Sequence, residues 1–403
     1  MQNTIKVLLN ALASTAGGGV TYLRNVLPLL NQTDQGQSYL LLVPSPQLDD
    51  FATLSGGRMK IETVEINAAL KRMWWEQTGL RRLLRSEQID VLVSLGNFAL
   101  LASPIPQILF SRNDLFFSEE FERDLRNRKL HSELAIHRFK SWLARQSIKQ
   151  ATANITPTEA FAARIRSNNE LSRINVETLR FGFDPKGFFR NQQPLSDSLI
   201  AKLNLSNACR RVLFVSHYNY FRNFETLLRA LPIIKTKLEQ QTGENVQLVL
   251  TTDIRRGAIY GGYDATAAAE LIDRLGIGDD IAMLGAVEYG KLHQLYKLCD
   301  VFVCPSYSES FGHPLVEAMA SGLPVVSADL PVHREVCGDA AVYFDVFDER
   351  NLAERVVQVL ADESLSKQLS ARGLQRSDEF SWSEHVRQLT ALIARVAEQN
   401  NKR

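Results

Sequence analysis

Cysteine is scarce in this chain. Its 403 residues hold four, Cys209, Cys299, Cys304 and Cys337. They form no Cys-x-x-Cys pair and have no histidine at ligand spacing, which argues against a disulfide frame or a zinc site and suits reduced cytosolic thiols. Cys299 and Cys304 flank a buried strand and read as small core residues. Long apolar runs are also missing. Nothing approaches the roughly eighteen residues of a membrane span, and the short run 5–9, interrupted by Lys6, reads as a first strand rather than a signal peptide. Secretion and membrane crossing are not expected, and the chain reads as cytoplasmic. Neither sign of charge is in excess. With 46 Lys and Arg against 45 Asp and Glu the net charge is +1, so no overall field would draw a polyanion, and nucleic acid is not expected as a partner.

What is present is ordinary for a globular protein: 45% hydrophobic and 23% charged residues, at a length that suits two domains better than one core. Apolar runs at 39–43, 61–66, 91–95 and 107–110 alternate with helical patterns, as in a doubly wound parallel sheet. The chain is organised around residues 301–329. Val301-Phe302-Val303-Cys304 is the apolar run of a strand buried on both faces. Pro314 then stands where a helix begins, Leu315, Val316, Met319 and Ala320 carry its period, and Gly322 ends it before a second strand at 324–327.

In an open α/β sheet the ligand crevice lies beyond the carboxyl ends of the strands, so residues 306–313 would line it. A helix N-terminus there suits a phosphate. Pro314 has no N–H, which leaves Gly312, His313 and Leu315 as candidate amide donors beside Ser310 and Phe311. Glu309 precedes the helix and Glu317 lies about one turn inside it. Two carboxylates at different depths suit two sets of hydroxyls, those of a sugar and those of a ribose.

The string Glu309-Ser310-Phe311-Gly312-His313-Pro314-Leu315-Val316-Glu317, running on through Ala-Met-Ala-Ser-Gly-Leu-Pro-Val-Val, resembles the signature of the retaining nucleotide-sugar glycosyltransferases of family 4, which have the GT-B fold. The resemblance implies two Rossmann-like doubly wound α/β domains facing each other across a cleft. Residues 1–190 with a returning helix at 383–401 would be the acceptor side, and residues 191–382 would hold a nucleoside-diphosphate sugar. It implies transfer of a hexosyl group from a UDP- or GDP-sugar to a glycan or lipid-linked acceptor, and closure on donor binding. No metal or other cofactor is expected, since no Asp-x-Asp cluster is present to bridge a cation and a diphosphate.

The resemblance also assigns roles along the chain. Gly17-Gly18-Gly19 lies at a strand-to-helix turn, where glycine lets a phosphate approach the backbone. It is no dinucleotide fingerprint, because the third glycine position is Tyr22, and a tight structural corner is the other reading. In the family this loop faces the donor diphosphate and the acceptor, which places Gly18 and Gly19 at the site. Many members have His-Asp after the strand that ends at Phe110; here the run is Arg112-Asn113-Asp114, so Arg112 or Asp114 would organise the acceptor instead. Two family cations that clamp the leaving diphosphate fall on His217, within Ser216-His217, and on Arg222, within Arg222-Asn223. Arg222 offers a forked donor pair. His217 either joins the clamp when protonated or is a packed strand-end histidine. The base-binding segment corresponds to residues 283–287, with Leu284 and Val287. Phe181-Gly182-Phe183-Asp184 matches in shape the family's usual end of the first domain.

Two basic stretches stand apart. Residues 70–85 carry Trp74 and Trp75 among Lys71, Arg72, Arg81, Arg82 and Arg85, and residues 122–149 form one long helical candidate with Leu130, Leu134, His137 and Trp142 at helical spacing. Each is read either as a packed or solvated helix, or as a face for an anionic membrane or a phosphate-bearing acceptor. Departures at His217 and Asn113 keep open a catalytically silent scaffold, and the fold keeps open a sugar-nucleotide epimerase.

Overall fold

The computed structural model describes residues 4–15, 17–33, 36–66 and 68–401. The chain divides into two compact units. The first comprises Met1–Ser118, Leu125–Gly182 and Ser381–Arg403; the second comprises Glu119–Asp124 and Phe183–Phe380. The division at Gly182 falls earlier than the 190/191 boundary read from the sequence.

In the first unit seven parallel strands, β1 (Ile5–Asn10), β2 (Gln37–Pro44), β3 (Met59–Val64), β4 (Val91–Ser94), β5 (Gln107–Phe110), β6 (Ala153–Thr156) and β7 (Val176–Thr178), lie in the order β3-β2-β1-β4-β5-β6-β7. The strand order reverses between β1 and β4, so the loops after these two strands open beside each other at the carboxyl edge. The helix Gly18–Gln32 buries Tyr22, Leu23, Val26, Leu27 and Leu30, a stripe at i, i+4 and i+8 that a sheet face can accept. The helix Ala69–Ser86 packs Leu80, Leu84 and the partly buried Trp75 on Leu8, Leu40 and Leu92. Trp74 points outward, 69% exposed.

Residues 122–149 do not form one helix. Two helices, Glu119–Asn127 and His131–Gln150, are separated at Lys129, whose φ of 58° breaks the helical path. Leu134, His137, Ser141, Ala144 and Ile148 face inward on the second helix. Trp142 does not join them: it lies outside with Ile136 and Phe139, at 48%, 55% and 55% exposure. The helix Trp382–Asn401 belongs to the first unit. His385 donates through Nδ1 to the Arg180 carbonyl at 3.1 Å and accepts the Tyr22 hydroxyl at Nε2 at 2.9 Å. Gly182 is required there, because a Cβ on it would stand 2.1 Å from the Trp382 nitrogen.

The second unit adds β8 (Cys209–Phe214), β9 (Asn245–Leu250), the hairpin β10 (Ile259–Tyr260) and β11 (Tyr263–Asp264), β12 (Ile281–Met283), β13 (Val301–Cys304), β14 (Val325–Ala328) and β15 (Ala341–Phe344). Six of them form a parallel sheet in the order β12-β9-β8-β13-β14-β15. Val301, Phe302, Val303, Val325 and Val326 are wholly buried in its centre. The order reverses between β8 and β13, and the loops 215–223 and 305–312 emerge at that point. Among the described residues no helix is long and apolar enough to cross a membrane.

Candidate functional site

In the second unit the loops after β8 and β13 are stitched together by the residues singled out from the sequence. Arg222 ends a short 3-10 turn and forms an ion pair with Glu309; its Nη1 also donates to the Ser306 hydroxyl at 3.3 Å. Burial pulls its pKa below the usual guanidinium value. Asn223 takes the left-handed conformation, φ 55°, to start the helix Phe224–Thr242. Its side chain is committed to the fold: Nδ2 donates to the Pro305 carbonyl at 3.1 Å and Oδ1 accepts the Thr226 hydroxyl at 2.8 Å. A third tie runs from the Tyr307 amide to the Phe221 carbonyl at 3.0 Å. His217 lies exposed on the same loop and is not a packed strand-end residue.

Beyond β13 the chain turns at Gly312 into the helix His313–Ala320. The φ of 87° favours glycine, and a Cβ there would crowd the Leu315 side chain at 2.9 Å. The Leu315 amide donates to the Gly312 carbonyl at 3.0 Å and its side chain is fully buried, so this amide is committed to the turn, and Gly312 and His313 stand closer to the opening of the helix. Ser310 is half-buried, and Phe311 is buried edge-on to the rings of His313 and Phe380. Glu317 is only 5% exposed and accepts the Tyr296 hydroxyl at 3.0 Å. Burial pushes its pKa up to about 7, against the Tyr296 and Tyr289 hydroxyls that favour the charged form. Leu284 continues the edge strand β12, donating to the Leu250 carbonyl at 2.9 Å, and Val287 is half-buried two residues past Gly285, whose φ is 74°.

The remaining assigned residues belong to the first unit. The helix Gly18–Gln32 has Gly17 at its N-cap with φ 53° and no capping side chain. Gly18 has open space around it, whereas a Cβ on Gly19 would meet Ser14 Cα at 3.0 Å. Arg112 follows β5; its Nη2 donates to the Ser14 hydroxyl at 2.9 Å. The Arg112 and Asn113 amides both donate to Asn97 Oδ1, at 2.6 and 2.9 Å. Asn113 caps the following turn by accepting the Leu115 amide at 3.2 Å. Asp114 is 4% exposed and takes Arg164 at 3.1 Å, which ties it to the helix Glu159–Arg166. Of the three residues proposed for the acceptor side, Asn113 and Asp114 are thus occupied with the fold, and Arg112 keeps unused donors.

Several participants escaped the sequence reading. Ser306 sits between Arg222 and Cys304, whose thiol lies 3.7 Å from the Ser306 hydroxyl and 3.9 Å from His333 Nε2. Tyr296 and Tyr289, the partners of Glu317, come from a neighbouring helix and its preceding turn. The hairpin β10–β11 brings Tyr263 against Tyr220 and Phe221, with ring centroids 4.9 and 6.2 Å apart, beside the Arg222 turn. Apart from Cys304 and Ser306, each pair is far apart along the chain, and only the short run Tyr-x-x-x-x-x-x-Tyr at 289–296 could have hinted at a shared partner.

Comparison with known proteins agrees with this arrangement. Residues 196–376 match the family described as glycosyl transferases group 1, and residues 16–187 match glycosyltransferase family 4. An O-antigen chain mannosyltransferase B of Escherichia coli is 31% identical over 170 residues, 42% of this chain and 42% of that protein, so the chain spans less than half the length of this curated relative. The sucrose-phosphate synthase structure from Thermosynechococcus elongatus superposes with a TM-score of 0.72 at 17% identity, covering 97% of this chain and 99% of its own. The structure of Anabaena HepE in complex with UDP-glucose superposes with a TM-score of 0.67 at 18% identity, covering 99% and 100%. Two parallel-sheet α/β units, switch-point loops carrying Arg222 and Glu309 with Glu317 on the helix that follows, and two family matches that together run from residue 16 to residue 376 with a short gap place the chain in glycosyltransferase family 4, with the GT-B fold.

Proposed function

We propose that the chain transfers a hexosyl group from a UDP- or GDP-sugar to an acceptor hydroxyl with retention of anomeric configuration, in the synthesis of a polysaccharide, lipopolysaccharide or other glycoconjugate. The observation that carries the reading is the Arg222–Glu309 pair at the mouth of the helix His313–Ala320, with Glu317 buried one turn deeper. The donor's diphosphate takes Arg222, the Gly312 and His313 amides and the positive end of the helix, which together stabilise the charge that builds on the leaving group. Arg222 cannot serve Glu309 and a phosphate fully at once. As it turns to the phosphate, the Glu309 carboxylate is released to orient sugar hydroxyls and stabilise positive charge at the ring. Glu317, once ionised, accepts from the ribose hydroxyls.

The bond from the anomeric carbon to the diphosphate oxygen breaks with its electron pair going to that oxygen. The acceptor oxygen bonds to the same face of the sugar, and its proton passes to the departing phosphate. The arginine and the helix terminus supply the electrostatic stabilisation, and no resident metal or cofactor is invoked. The Anabaena structure in complex with UDP-glucose supports a nucleotide-sugar donor. Release of nucleoside diphosphate that depends on acceptor, with the α or β configuration of the donor kept in the product by NMR, is the expected result. Release without acceptor, or none with any nucleotide sugar, points to an epimerase or a silent scaffold instead.

The proposal includes peripheral contact with an anionic membrane. Ile136, Phe139 and Trp142 stand exposed at i, i+3 and i+6 on the helix His131–Gln150, Phe139 stacks on Trp142 at 5.9 Å, and Arg138 and Lys140 are exposed between them. Apolar side chains rimmed by cations suit an anionic lipid interface. The chain is expected to sediment with vesicles containing phosphatidylglycerol and not with phosphatidylcholine alone, and the double variant F139S/W142S is expected to lose this. Equal binding of both vesicle types, or none, would remove the membrane from the reading.

A further inference from the structure

Behind the Arg222–Glu309 pair lies a buried chain of polar side chains that the proposed transfer does not use. Its first link is the Ser306 hydroxyl, which accepts from Arg222 Nη1 at 3.3 Å. The Ser306 oxygen lies 3.7 Å from the Cys304 sulfur, and that sulfur lies 3.9 Å from His333 Nε2, both within reach of a hydrogen bond to sulfur. His333 stands on the helix Pro331–Cys337. Its Nδ1 is 2.9 Å from the Ala328 carbonyl and 2.8 Å from the Ser327 hydroxyl, at the end of β14. Ser306, Ser327 and His333 are wholly buried and Cys304 is 3% exposed. Each must therefore find its partners within the fold.

The chain has a fixed direction. A carbonyl only accepts, so the Ala328 oxygen holds a proton on His333 Nδ1, and Nε2 is the nitrogen left to share the Cys304 proton. Whether that proton sits on sulfur or on Nε2, it lies between the two, and the sulfur keeps only lone pairs for Ser306. The Ser306 hydroxyl accordingly donates to Cys304 and turns its own lone pairs to Arg222. Without such an acceptor a serine hydroxyl rotates and can aim its proton at the guanidinium, where like partial charges repel. Burial acts to raise the thiol pKa, yet His333, Arg222 and the Ser306 hydroxyl together bring it below the ordinary thiol value, as suits a sulfur that accepts. Glu309 and a phosphate compete for Arg222, whereas the neutral Ser306 oxygen can hold Nη1 beside either.

We propose that Cys304 and His333 are positioning residues that act through the Ser306 hydroxyl to orient Arg222 toward the leaving diphosphate. This rests on the transferase reading and deepens it. Cys304→Val fills a similar volume without a polar atom, and His333→Asn keeps an N–H for Ala328 but offers nothing to sulfur. Each is expected to weaken calorimetric binding of UDP or GDP, whichever binds, roughly 3- to 10-fold, the worth of about one neutral hydrogen bond, and the two changes together to cost no more than one. Cys304→Ser keeps a hydroxyl and is expected to restore most of the loss. The deciding comparison places Cys304→Val in the Arg222→Gln background, where its effect is expected to vanish because no guanidinium is left to orient.

An equal loss in the Arg222→Gln background would be a packing defect and would overturn the proposal. So would unchanged affinity in Cys304→Val, or a Cys304→Ser variant as weak as Cys304→Val. Near-ultraviolet circular dichroism checks that each variant is folded; should Cys304→Val not fold, His333→Asn carries the same comparison. If neither nucleotide binds the wild type, the transferase reading fails on its own, and nitrogen NMR of the histidine-labelled protein still decides the chain, with His333→Asn to assign the ring. A protonated Nδ1, with an Nε2 resonance that moves in Cys304→Val, supports the chain; a bare Nδ1, or an Nε2 that does not move, overturns it.

Discussion

The carboxyl edges of the two sheets hold their polar groups in different states. In the second unit they pair with one another, Arg222 with Glu309 and Ser306, Asn223 with Pro305 and Thr226, and Glu317 with Tyr296, although Arg222 Nε is shielded without a hydrogen-bond partner. In the first unit Asn113 accepts the Leu115 amide and Asp114 takes Arg164, yet Arg112 keeps buried donors and the adjacent helix start is uncapped. A ligand of the second unit must therefore compete with contacts the protein already makes. The same physical cost, burial of a guanidinium, is met by a carboxylate at Arg222 and, among the described residues, by none at Arg112.

The largest effects should come from separating the second unit's pair. Arg222→Gln removes the cation from the leaving group and is expected to lower turnover by about 10³-fold and to weaken nucleoside diphosphate binding by about 10-fold or more, by analogy with loss of a preorganised charge or oxyanion donor. Glu309→Gln should differ in sign between its two readouts. Turnover falls by about 10²-fold, as for loss of one electrostatic stabiliser of the transition state, while nucleotide affinity holds or tightens because Arg222 no longer has a competing carboxylate. Steady-state kinetics beside calorimetry separates the two. Weaker nucleotide binding with turnover intact in Glu309→Gln would assign this carboxylate to donor binding instead of chemistry.

Smaller effects concern pH, and here the two units should move in opposite directions. Glu317 is buried and its pKa stands at about 7, so the folded second unit holds a proton that the unfolded chain has already lost. Stability from this group is full below the ordinary carboxyl range and is lost as pH rises through 7, by about 2 kcal/mol between pH 5 and 7. His385 in the first unit is pulled down to about 4 by burial, against its bonds to the backbone, so the folded form resists protonation. Its contribution is full above the ordinary histidine value and falls by about 2 kcal/mol as pH drops from 7 to 5.

The two terms nearly cancel in the wild type and are exposed singly by variants. Urea unfolding of Glu317→Gln should show stability rising from pH 5 to 7, and His385→Asn should show it falling. Parallel pH dependence in both would mean that neither group is buried as described. Glu317→Gln should also abolish any tightening of nucleotide binding between pH 6 and 8 beyond that of the phosphate itself.

Much of the second unit's site was legible because its signals are local. Pro314, Gly322 and the apolar period between them announce the helix His313–Ala320, and Glu309 and Glu317 take their positions from that helix. The clamp at Arg222 was legible only through a family resemblance, because its partner Glu309 lies on another strand's loop. The strand Ala341–Phe344 and the hairpin at 259–264 were missed; both are short, and the hairpin has two residues in each arm. The long basic helix was read through a break, since nothing in the charge pattern marks the left-handed turn at Lys129.

What the sequence by itself determined is therefore the set of local elements and their residue types: alternating strands and helices, a glycine-marked helix start on each sheet, one glutamate before a helix and one inside it. Hydrophobic period, proline and glycine act within a few residues, and a reader of the chain meets them directly. Only the tertiary structure decided which charges meet. Glu309 came to Arg222, Tyr296 to Glu317 and Arg164 to Asp114, while Arg112 was carried to Ser14 with no acid beside it among the described residues. Those outcomes depend on strand order across the switch points, where residues distant in sequence are brought within a hydrogen bond of one another.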